Sequence, residues 1–400
     1  MNRFFLSLSC LACIFSCSSS TYAKDKHYTV MISLDGCRWD YPEWHDMPFM
    51  DYMAENGVKS GLIPSFPSKT FPNHYTLVTG LYPDHHGIVA NTFLDISTGE
   101  TFSLSKPEQK MNPLYYGGEP IWLTAKRQGL RTSVFYWPGS DVAINGDRPS
   151  LFYYYDQKPR LTLKERMDGI VDQLTLPDDE RPDLILAYME QPDANGHNFG
   201  PQSKQTRSAI HEVDSLLNDL YLRIKQLPIG NKVNLIVVSD HGMAWVDTPC
   251  NISIADKLKT DWIIDSQGNI PENIYVKEGY ADSVYNALKD LPHARVWRKK
   301  DVPSYLHYGS CSRIGDIIVL PDIGYIVYDD ELSQGSGQHG YDPTLSDMQA
   351  VFRAVGPDFE HIALPHFPNV NVYGLLCRLL DIQPAPYDGS IDEIKAIFKQ

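Results

Sequence analysis

The sequence is poor in charged residues, and in basic ones above all, which excludes several classes of protein. Charged side chains make up 21% of the 400 residues and hydrophobic ones 42%, so the chain can bury a large core and is not globally disordered. Lys and Arg number 35 against 50 Asp and Glu, giving a net charge of −15. So acidic a chain is a poor candidate for binding a nucleic-acid backbone, and we expect no sequence-specific nucleic-acid binding.

Long apolar runs are also lacking. The run from Phe4 to Phe15 falls short of the roughly 20 residues that a membrane-spanning helix needs. It follows a positive start and precedes a small-residue cleavage site at Ala23, which predicts a signal peptide over residues 1–23. We therefore expect a secreted or periplasmic protein whose mature chain has no transmembrane segment. A lipid anchor at Cys17 is a weaker alternative, because the residues before it suit that signal poorly.

Cysteine is scarce as well. Three of the seven cysteines lie in the expected signal peptide, and the other four are far apart in the sequence. These four are Cys37, Cys250, Cys311 and Cys377. An oxidising compartment permits disulfides, but four widely spaced cysteines do not form a disulfide framework. Buried free thiols are the favoured interpretation, and the pairing stays open.

The order of apolar runs and helical segments predicts the architecture. A chain of 400 residues exceeds the size of one compact core, so we expect a large domain with an insertion, or two domains. Short apolar runs alternate with helical segments, which is typical of a parallel sheet covered on both faces. Between about 250 and 335 the pattern changes to mixed strands and a helix. We predict an α/β fold that is interrupted there by a small α+β subdomain.

Three predicted strands each lead to an acidic residue. The strands and the carboxylates that follow them are Tyr28–Leu34 with Asp35, Asp183–Met189 with Asp193, and Asn234–Ser239 with Asp240. A single Asp after a strand is usually a cap or turn residue. Three of them, two with a histidine within four positions, indicate a site, because ligand crevices form at the carboxyl edge of such sheets.

Histidines near these carboxylates complete a set of candidate metal ligands. The set is Asp35, Asp193, His197, Asp240, His241 and His339. Histidine and carboxylate are ligands that zinc accepts, and two ions can clamp the attacking and leaving oxygens of a phosphoryl displacement. Three carboxylates do not fully neutralise two divalent ions, so the site would keep a net positive charge, which suits an anionic substrate. These ligand types do not separate zinc from other divalent ions.

Thr70 is a candidate nucleophile. Pro72 suits the first turn of a helix, which places Thr70 at the helix N-terminus. There the helix dipole and free N–H groups favour an alkoxide and the phosphate that it attacks. Alone, Thr70 is an ordinary N-cap, but beside two metals its hydroxyl can be deprotonated by coordination. We interpret His74, His85 and His86 as surface or hydrogen-bonding residues.

Taken in order, short motifs across the chain resemble the nucleotide pyrophosphatase/phosphodiesterase family of the alkaline phosphatase superfamily. The matching pieces are Ser33 to Gly36, Pro64 to His74, Thr79 to Ile88, Asn91, Gly118 to Trp122, Trp137 to Asp141, Glu190 to Asp193, Ser239 to Met243 and His339 to Tyr341. The resemblance implies an alkaline-phosphatase-like, doubly wound, mostly parallel sheet with helices on both faces. It also implies a catalytic phosphodiesterase domain over residues 24–400.

The resemblance further implies a role for each candidate residue. One zinc would be held by Asp193, His197 and His339, and the other by Asp35, Asp240, His241 and the Thr70 oxygen. Asn91 would donate a hydrogen bond to a non-bridging phosphate oxygen. The implied reaction is two in-line displacements: Thr70 attacks phosphorus and releases one substituent, and water then hydrolyses the phospho-threonine intermediate.

Other members of the superfamily fit less well. Sulfatase-like members carry a modified Cys or Ser in C/S-x-P-x-R, which the segment from Thr70 to His74 lacks. Alkaline phosphatases use Ser and an arginine that grips a monoester, whereas the arginines nearest to Thr70 in sequence are Arg38 and Arg127. Diester cleavage is the better interpretation.

The second substituent of the diester is less well defined. By resemblance, the residues of a substrate pocket are Phe71, Asn91, Leu104, Lys110, Trp137, Asp141 and Tyr155. Aromatic side chains can stack a nucleobase, although each could equally be ordinary core. We expect a zinc enzyme that converts nucleotide diesters and pyrophosphates to nucleoside 5′-monophosphates. The alternative is a phosphodiesterase for choline, glycerophosphodiester or lysophospholipid substrates.

Overall fold

The computed structural model describes residues 25–246, 251–328 and 336–399. The predicted signal peptide and Cys250 lie outside these residues. The strands are β1 Tyr28–Leu34, β2 Val58–Ile63, β3 Thr92–Asp95, β4 Glu100–Ser103, β5 Thr132–Phe135, β6 Leu151–Phe152, β7 Leu184–Met189, β8 Val233–Val238, β9 Ala244–Val246, β10 Asn251–Ile252, β11 Ile263–Gly268, β12 Glu272–Val276, β13 Ala294–Arg298, β14 Ile317–Pro321, β15 Ile326–Val327, β16 Ser336–Gln338, β17 Ala350–Val355, β18 Ile362–Ala363 and β19 Phe367–Pro368. The helices are α1 Tyr41–His45, α2 Pro48–Asn56, α3 Thr70–Thr79, α4 Pro83–His86, α5 Pro107–Lys110, α6 Ile121–Arg127, α7 Leu163–Leu174, α8 Asp193–Phe199, α9 Lys204–Gln226, α10 Ala281–Leu288 and α11 Asn371–Leu379.

A large, mostly parallel sheet forms the centre of the molecule. Its strand order is β18-β2-β17-β8-β1-β7-β5-β6, with β19 also paired to β2. Only β17 runs antiparallel to its neighbours β2 and β8, while β1 is parallel to both β7 and β8. The predicted α/β class with a mostly parallel sheet is confirmed.

Helices cover both faces of this sheet. All seven residues of β1 are buried, and because alternate side chains of a strand point to opposite faces, neither face meets solvent there. Helices α2, α7 and α9 pack together in one layer, and α3, α6 and α11 pack together in another. The doubly wound arrangement that the sequence predicts is therefore present.

Residues 251–328 carry a second, smaller sheet. Its strand order is β11-β12-β14-β13, all pairs are antiparallel, and α10 packs against β13 and β14. Arg313 joins this part to the two-stranded sheet of β3 and β4 through an ion pair of 3.0 Å with Asp95. Asp84 adds hydrogen bonds from the backbone N–H groups of Gly309 and Ser310.

The structure also bears on the predictions about the cysteines and about membrane-spanning segments. Cys37, Cys311 and Cys377 carry free thiols, and the first and last are buried. Among the helices of the described ranges, none has both the length and the apolar composition that crossing a membrane requires.

Candidate active site

The register of three parallel strands brings the predicted carboxylates together. Strand β1 lies between β7 and β8, with Leu34 opposite Met189 and Ser33 opposite Val238. The residues that follow these strand ends therefore meet at one edge of the sheet. Gly36 has a φ of +68°, and a Cβ there would lie 3.0 Å from the Asp193 side chain, so only glycine lets the two loops pass this closely.

Asp35, Asp240, His241 and Thr70 form what we call the inner group. Nε2 of His241 lies 3.0 Å from Oδ2 of Asp240 and 3.4 Å from Oδ1 of Asp35. The hydroxyl of Thr70 is 3.2 Å from the same nitrogen. The two carboxylates and the imidazole are at most 4% exposed, so this group lies deep in the molecule.

Asp193, His197 and His339 form what we call the outer group. Helix α8 begins at Asp193, so His197 lies one turn later on the same face, with Nε2 3.3 Å from Oδ1 of Asp193. Nε2 of His339 is 3.1 Å from that of His197 and 3.8 Å from the Asp193 oxygen. The rings of His339 and His241 stack at 3.5 Å, which joins the two groups.

Backbone carbonyls orient all three imidazoles. The Nδ1 contacts are His241 with Gly242 O at 2.8 Å, His197 with Gly337 O at 2.8 Å, and His339 with Ser68 O at 2.7 Å. A carbonyl oxygen can only accept, so each Nδ1 must carry the proton that it donates. With Nδ1 used in this way, each ring turns its Nε2 atom towards the carboxylates, which is the arrangement of metal-ligating histidines.

The carboxylates supply matching acceptors. Oδ1 of Asp35, Oδ1 of Asp193 and Oδ2 of Asp240 are buried and accept no hydrogen bond from the described residues. An unpaired buried carboxylate oxygen is costly unless a cation meets it. Unpaired oxygens facing imidazole nitrogens are what a divalent cation requires. Two sets of donor atoms lie close enough together to hold one: the outer group, and Asp35 and His241 of the inner group together with Asp193. Asp240 adjoins the second set through His241.

The electrostatics of the site agree with this assignment. Burial raises the pKa of Asp35 well above its usual range, and the charges of Asp240 and Asp193 raise it further. Burial would also raise the pKa of Asp240, but His241 and His74 hold it well below the usual range. Without a cation these neighbouring carboxylates cannot all be ionised, and a divalent ion removes that conflict.

Thr70 is the first residue of α3, with Lys69 at the N-cap position and Pro72 in the first turn. Its hydroxyl therefore faces His241 and does not cap the helix. The N–H of Phe71 donates to Oδ1 of Asn91 at 3.0 Å, which orients that amide. The oxygen of Asn91 is thereby used, and its NH₂ group is the part that can donate to a phosphate.

Three residues that contact the site were not predicted from sequence to belong to it. The hydroxyl of Tyr188 donates to Oδ2 of Asp35 at 2.6 Å. In the sequence, the only indication of this role is a tyrosine hydroxyl within an otherwise apolar strand. His74 is fully buried, lies 3.3 Å from Asp240 and contacts Ser33, so its hydrogen-bonding interpretation is confirmed and the surface interpretation is wrong. Its place one turn after Thr70 was the signal.

Lys69 is the third missed residue. Burial lowers the pKa of this lysine to about 8, while the Asp193 carboxylate raises it. Its charge in turn helps burial and His241 to hold the pKa of His339 well below the usual range. No sequence pattern distinguished Lys69 from an ordinary residue at the start of a helix.

Three of the predicted pocket residues, Leu104, Lys110 and Tyr155, lie around Asn91 and Phe71. The ring of Phe71 meets that of Tyr155 nearly edge-on, with centroids 5.6 Å apart. The Lys110 ammonium lies 4.8 Å from the centre of the Tyr155 ring and forms an ion pair with Asp156. The backbone N–H of Leu104 donates to the Asn91 carbonyl.

Trp137 and Asp141 lie behind this group. The indole of Trp137 is fully buried, and its Nε1–H donates to the carbonyl of His74 at 3.0 Å. The carboxylate of Asp141 accepts the backbone N–H of Tyr155 at 2.8 Å. Both side chains thus support residues of the site, and a direct contact with substrate stays a prediction for each.

Comparison with known proteins agrees with the geometry. The sequence pattern of the family described as type I phosphodiesterase / nucleotide pyrophosphatase matches residues 29–342. Ectonucleotide pyrophosphatase/phosphodiesterase family member 3 of Bos taurus is 37% identical over 396 residues, covering 92% of this chain. An uncharacterized pyrophosphatase/phosphodiesterase of Schizosaccharomyces pombe is 38% identical over 387 residues, which cover 91% of this chain and 79% of that protein.

Solved structures show the same fold. Human ectonucleotide pyrophosphatase/phosphodiesterase 5 superposes with a TM-score of 0.87 at 34% identity, covering 94% of this chain and 100% of that one. An inactive form of the murine protein, in complex with AMP, gives a TM-score of 0.86 at 32% identity and covers 93% of this chain and 100% of that one.

The chain spans about half the length of several curated relatives, 44% in the case of the bovine protein. Within that span the match runs through most of both sheets, and the family resemblance that the sequence motifs predicted is confirmed. The chain therefore belongs to the type I phosphodiesterase / nucleotide pyrophosphatase family, a family of phosphodiester hydrolases.

Proposed function

We propose that this protein is a zinc-dependent nucleotide pyrophosphatase/phosphodiesterase that forms nucleoside 5′-monophosphates through a phospho-threonine intermediate. The observation that carries the proposal is the position of Thr70. Its hydroxyl lies 3.2 Å from Nε2 of His241, at the start of a helix and within the inner group. A hydroxyl in that position is available as a nucleophile rather than as a helix cap.

The metal ligands follow from the two groups. Asp193, His197 and His339 would hold one zinc, and Asp35, Asp240, His241 and the Thr70 oxygen would hold the other. When bound, two such ions neutralise phosphate charge and favour the ionised form of a coordinated hydroxyl. Zinc as the metal, and two as the number, are part of the proposal.

The side chains and backbone of the chain supply the nucleophile, stabilise charge on the phosphate and position the ligands. Thr70 attacks phosphorus in line with the bond that breaks, and the NH₂ group of Asn91 donates to a non-bridging oxygen as charge develops there. The Phe71 N–H keeps the Asn91 amide in the orientation that this requires. Tyr188 and the carbonyl contacts of the histidines hold the ligands in place throughout.

Nucleotides are the favoured substrates because an aromatic pair lies next to the nucleophile. Phe71 follows Thr70 directly, and its buried ring supports Tyr155, which is partly exposed. A nucleobase stacked on Tyr155 would direct its phosphate towards Thr70. Stacking on such rings is worth about 1–3 kcal/mol per base. The murine relative, solved with AMP, supports the same class of ligand.

Two variants test the nucleophile. Thr70→Ala should abolish turnover of a nitrophenyl ester of thymidine 5′-monophosphate while leaving most of the bound zinc in place. Thr79→Ala, which removes a buried hydroxyl from the other end of the same helix, should retain activity and serves as the control. Near-normal turnover by Thr70→Ala would exclude the covalent mechanism.

Parallel assays test the substrate class. Rates on the thymidine ester and on nitrophenyl phosphocholine compare a nucleotide with the choline-type alternative, which uses the same metal ligands. We expect the nucleotide ester to be preferred. A preference for nitrophenyl phosphocholine would contradict the nucleotide assignment and indicate choline or glycerophosphodiester substrates.

We also propose that the protein is exported. The support is the composition of residues 1–23, a positive start followed by an apolar run and a small-residue cleavage site. Expression of the full chain followed by fractionation and N-terminal sequencing should give a mature protein beginning near Lys24. Recovery of uncleaved chain in the cytoplasm would contradict export.

A further inference from the structure

Two cations lie over the Tyr155 ring in different settings. The Lys110 ammonium is 4.8 Å from the centre of this ring and forms an ion pair of 2.6 Å with Asp156. The Arg160 guanidinium is closer to the centre of the ring, at 4.4 Å. Throughout residues 25–246, 251–328 and 336–399, no carboxylate forms an ion pair with Arg160. Arg160 therefore keeps a charge that a bound ligand can meet.

Hydrogen bonds hold the guanidinium against the ring. Its Nε–H donates to the Tyr155 carbonyl at 2.7 Å, and the Tyr155 N–H donates to Asp141 at 2.8 Å, so both polar groups of that backbone are engaged. The N–H of Leu161, the residue after Arg160, donates to the hydroxyl of Tyr136 at 3.0 Å. The contact with the backbone uses Nε of the guanidinium, so the fork of Nη1 and Nη2 can donate to a ligand.

Tyr155 connects this cation to the proposed nucleophile. Its ring contacts that of Phe71, which directly follows Thr70. Burial raises the pKa of Tyr155 and the charge of Asp35 raises it further, whereas Arg160 lowers it, so both charged groups lie close to the phenol. A substrate whose phosphate is at Thr70 and whose other end lies along Tyr155 therefore meets Arg160.

A cation at an aromatic face decides which groups can use that face. Quaternary ammonium groups bind by packing against aromatic rings, and a guanidinium already in that place repels them. A neutral nucleobase is not repelled, and its acceptor atoms can accept hydrogen bonds from the guanidinium. Guanine presents two acceptors side by side, O6 and N7, which match the fork of an arginine, whereas adenine presents an amino group beside N7.

We propose that Arg160 is a specificity-determining residue of the substrate pocket. It favours guanine, whose O6 and N7 accept from its two Nη groups, and it disfavours choline head groups, whose positive charge it repels. The inference rests on the proposed function and names the preferred base within the nucleotide class.

Three substrates test this role: the nitrophenyl esters of guanosine 5′-monophosphate and adenosine 5′-monophosphate, and nitrophenyl phosphocholine. The wild-type protein should prefer the guanosine ester to the adenosine ester. Arg160→Gln removes both charge and fork, so kcat/KM should fall by about 10-fold for the guanosine ester and by less than about threefold for the adenosine ester. For nitrophenyl phosphocholine it should rise by about fivefold, because the repelling charge is gone.

A conservative variant separates the two effects. Arg160→Lys keeps the charge without the fork, so it should lose the preference for guanosine and still reject nitrophenyl phosphocholine. Arg378→Gln, which removes an exposed arginine on α11, is the control and should leave the three rates unchanged. Equal losses on all three substrates in Arg160→Gln would reduce Arg160 to a structural residue, and unchanged ratios would also overturn the proposal.

A binding measurement keeps this test separate from the proposed function. If the wild-type protein hydrolyses none of the three substrates, the proposed function fails, and calorimetry with guanosine and adenosine 5′-monophosphates decides the role of Arg160. Tighter binding of the guanosine nucleotide by the wild type, lost in Arg160→Gln, supports the proposal. The same ratio of affinities in both proteins contradicts it.

Discussion

The inner and outer groups use the same ligand types in different settings. The inner carboxylates and imidazole are at most 4% exposed and follow directly from the ends of β1 and β8. In the outer group, Asp193 is 16% exposed and His197 is 31% exposed, and both lie on the short helix α8. The hydroxyl of Thr70, the proposed nucleophile, belongs to the inner group, whereas the outer group is more accessible to solvent.

This difference indicates a division of labour. Ligands fixed by sheet hydrogen bonds and buried neighbours are rigid, so the inner group can position a nucleophile accurately. A partly exposed pair on a seven-residue helix is less constrained, which would suit the side where a product leaves and water enters. Variants of the two groups should therefore differ in their effects on stability as well as on rate.

The largest effect is expected from the inner group. Asp240→Asn removes a carboxylate that faces both His241 and His74, in a position with no exposure. Activity should fall by more than about 100-fold, beyond the range for changes outside the ligand set. The protein should also lose zinc, as measured by metal analysis. An active, fully loaded Asp240→Asn protein would contradict the inner group as a metal site.

The outer group should respond more mildly in stability. His197→Ala should lower activity and make one metal equivalent readily removable by a chelator. Its melting temperature without metal should stay within a few degrees of wild type, because His197 is partly exposed. If His197→Ala destabilised the metal-free fold as much as Asp240→Asn, the contrast between the groups would be lost.

Tyr188 tests how far the inner group depends on its surroundings. Tyr188→Phe removes the hydrogen bond to Oδ2 of Asp35 and should weaken zinc binding or activity by about 10-fold. Tyr41→Phe is the matched control, because it removes a buried hydroxyl that has no hydrogen-bond partner among the described residues. Equal effects of the two variants would reduce Tyr188 to a packing residue.

The smallest expected difference between the two groups is in the pH dependence of their zinc binding. The pKa of Asp35 is raised by burial and by Asp240, whereas burial and His241 lower the pKa of His339. A raised pKa makes zinc compete with a proton at Asp35, whereas a lowered pKa favours the neutral His339 that zinc binds, so acid should weaken the inner site more than the outer one. Zinc titrations at about pH 6 and pH 8 measure the two affinities, with His197→Ala reporting on the inner site and Asp240→Asn on the outer site. If acid weakened zinc binding more at the outer site than at the inner site, this prediction would be wrong.

The parts of the molecule that follow from local pattern were the ones predicted from sequence. Strand β1 begins and ends at the predicted residues, and β7 and β8 agree to within one residue, because a buried parallel strand is a continuous apolar run. Since parallel strands align their carboxyl ends, the meeting of Asp35, Asp193 and Asp240 could also be expected from the strand pattern alone.

Other features depend on contacts between distant segments. Tyr188 bonds to Asp35 across 153 positions, and nothing in the strand sequence states which partner its hydroxyl will meet. Lys110 pairs with Asp156 from a distant part of the chain, which no local pattern states. Burial of Trp137 behind His74 likewise became visible only in three dimensions.

The central claim is that Thr70 attacks phosphorus and that water completes the reaction in a second step. Each in-line displacement inverts the configuration at phosphorus, so two displacements restore it. The direct measurement is the stereochemical course of hydrolysis of a nucleotide ester made chiral at phosphorus with sulfur, carried out in isotopically labelled water. The account predicts net retention of configuration, and net inversion would show that water attacks directly and that Thr70 is not the nucleophile.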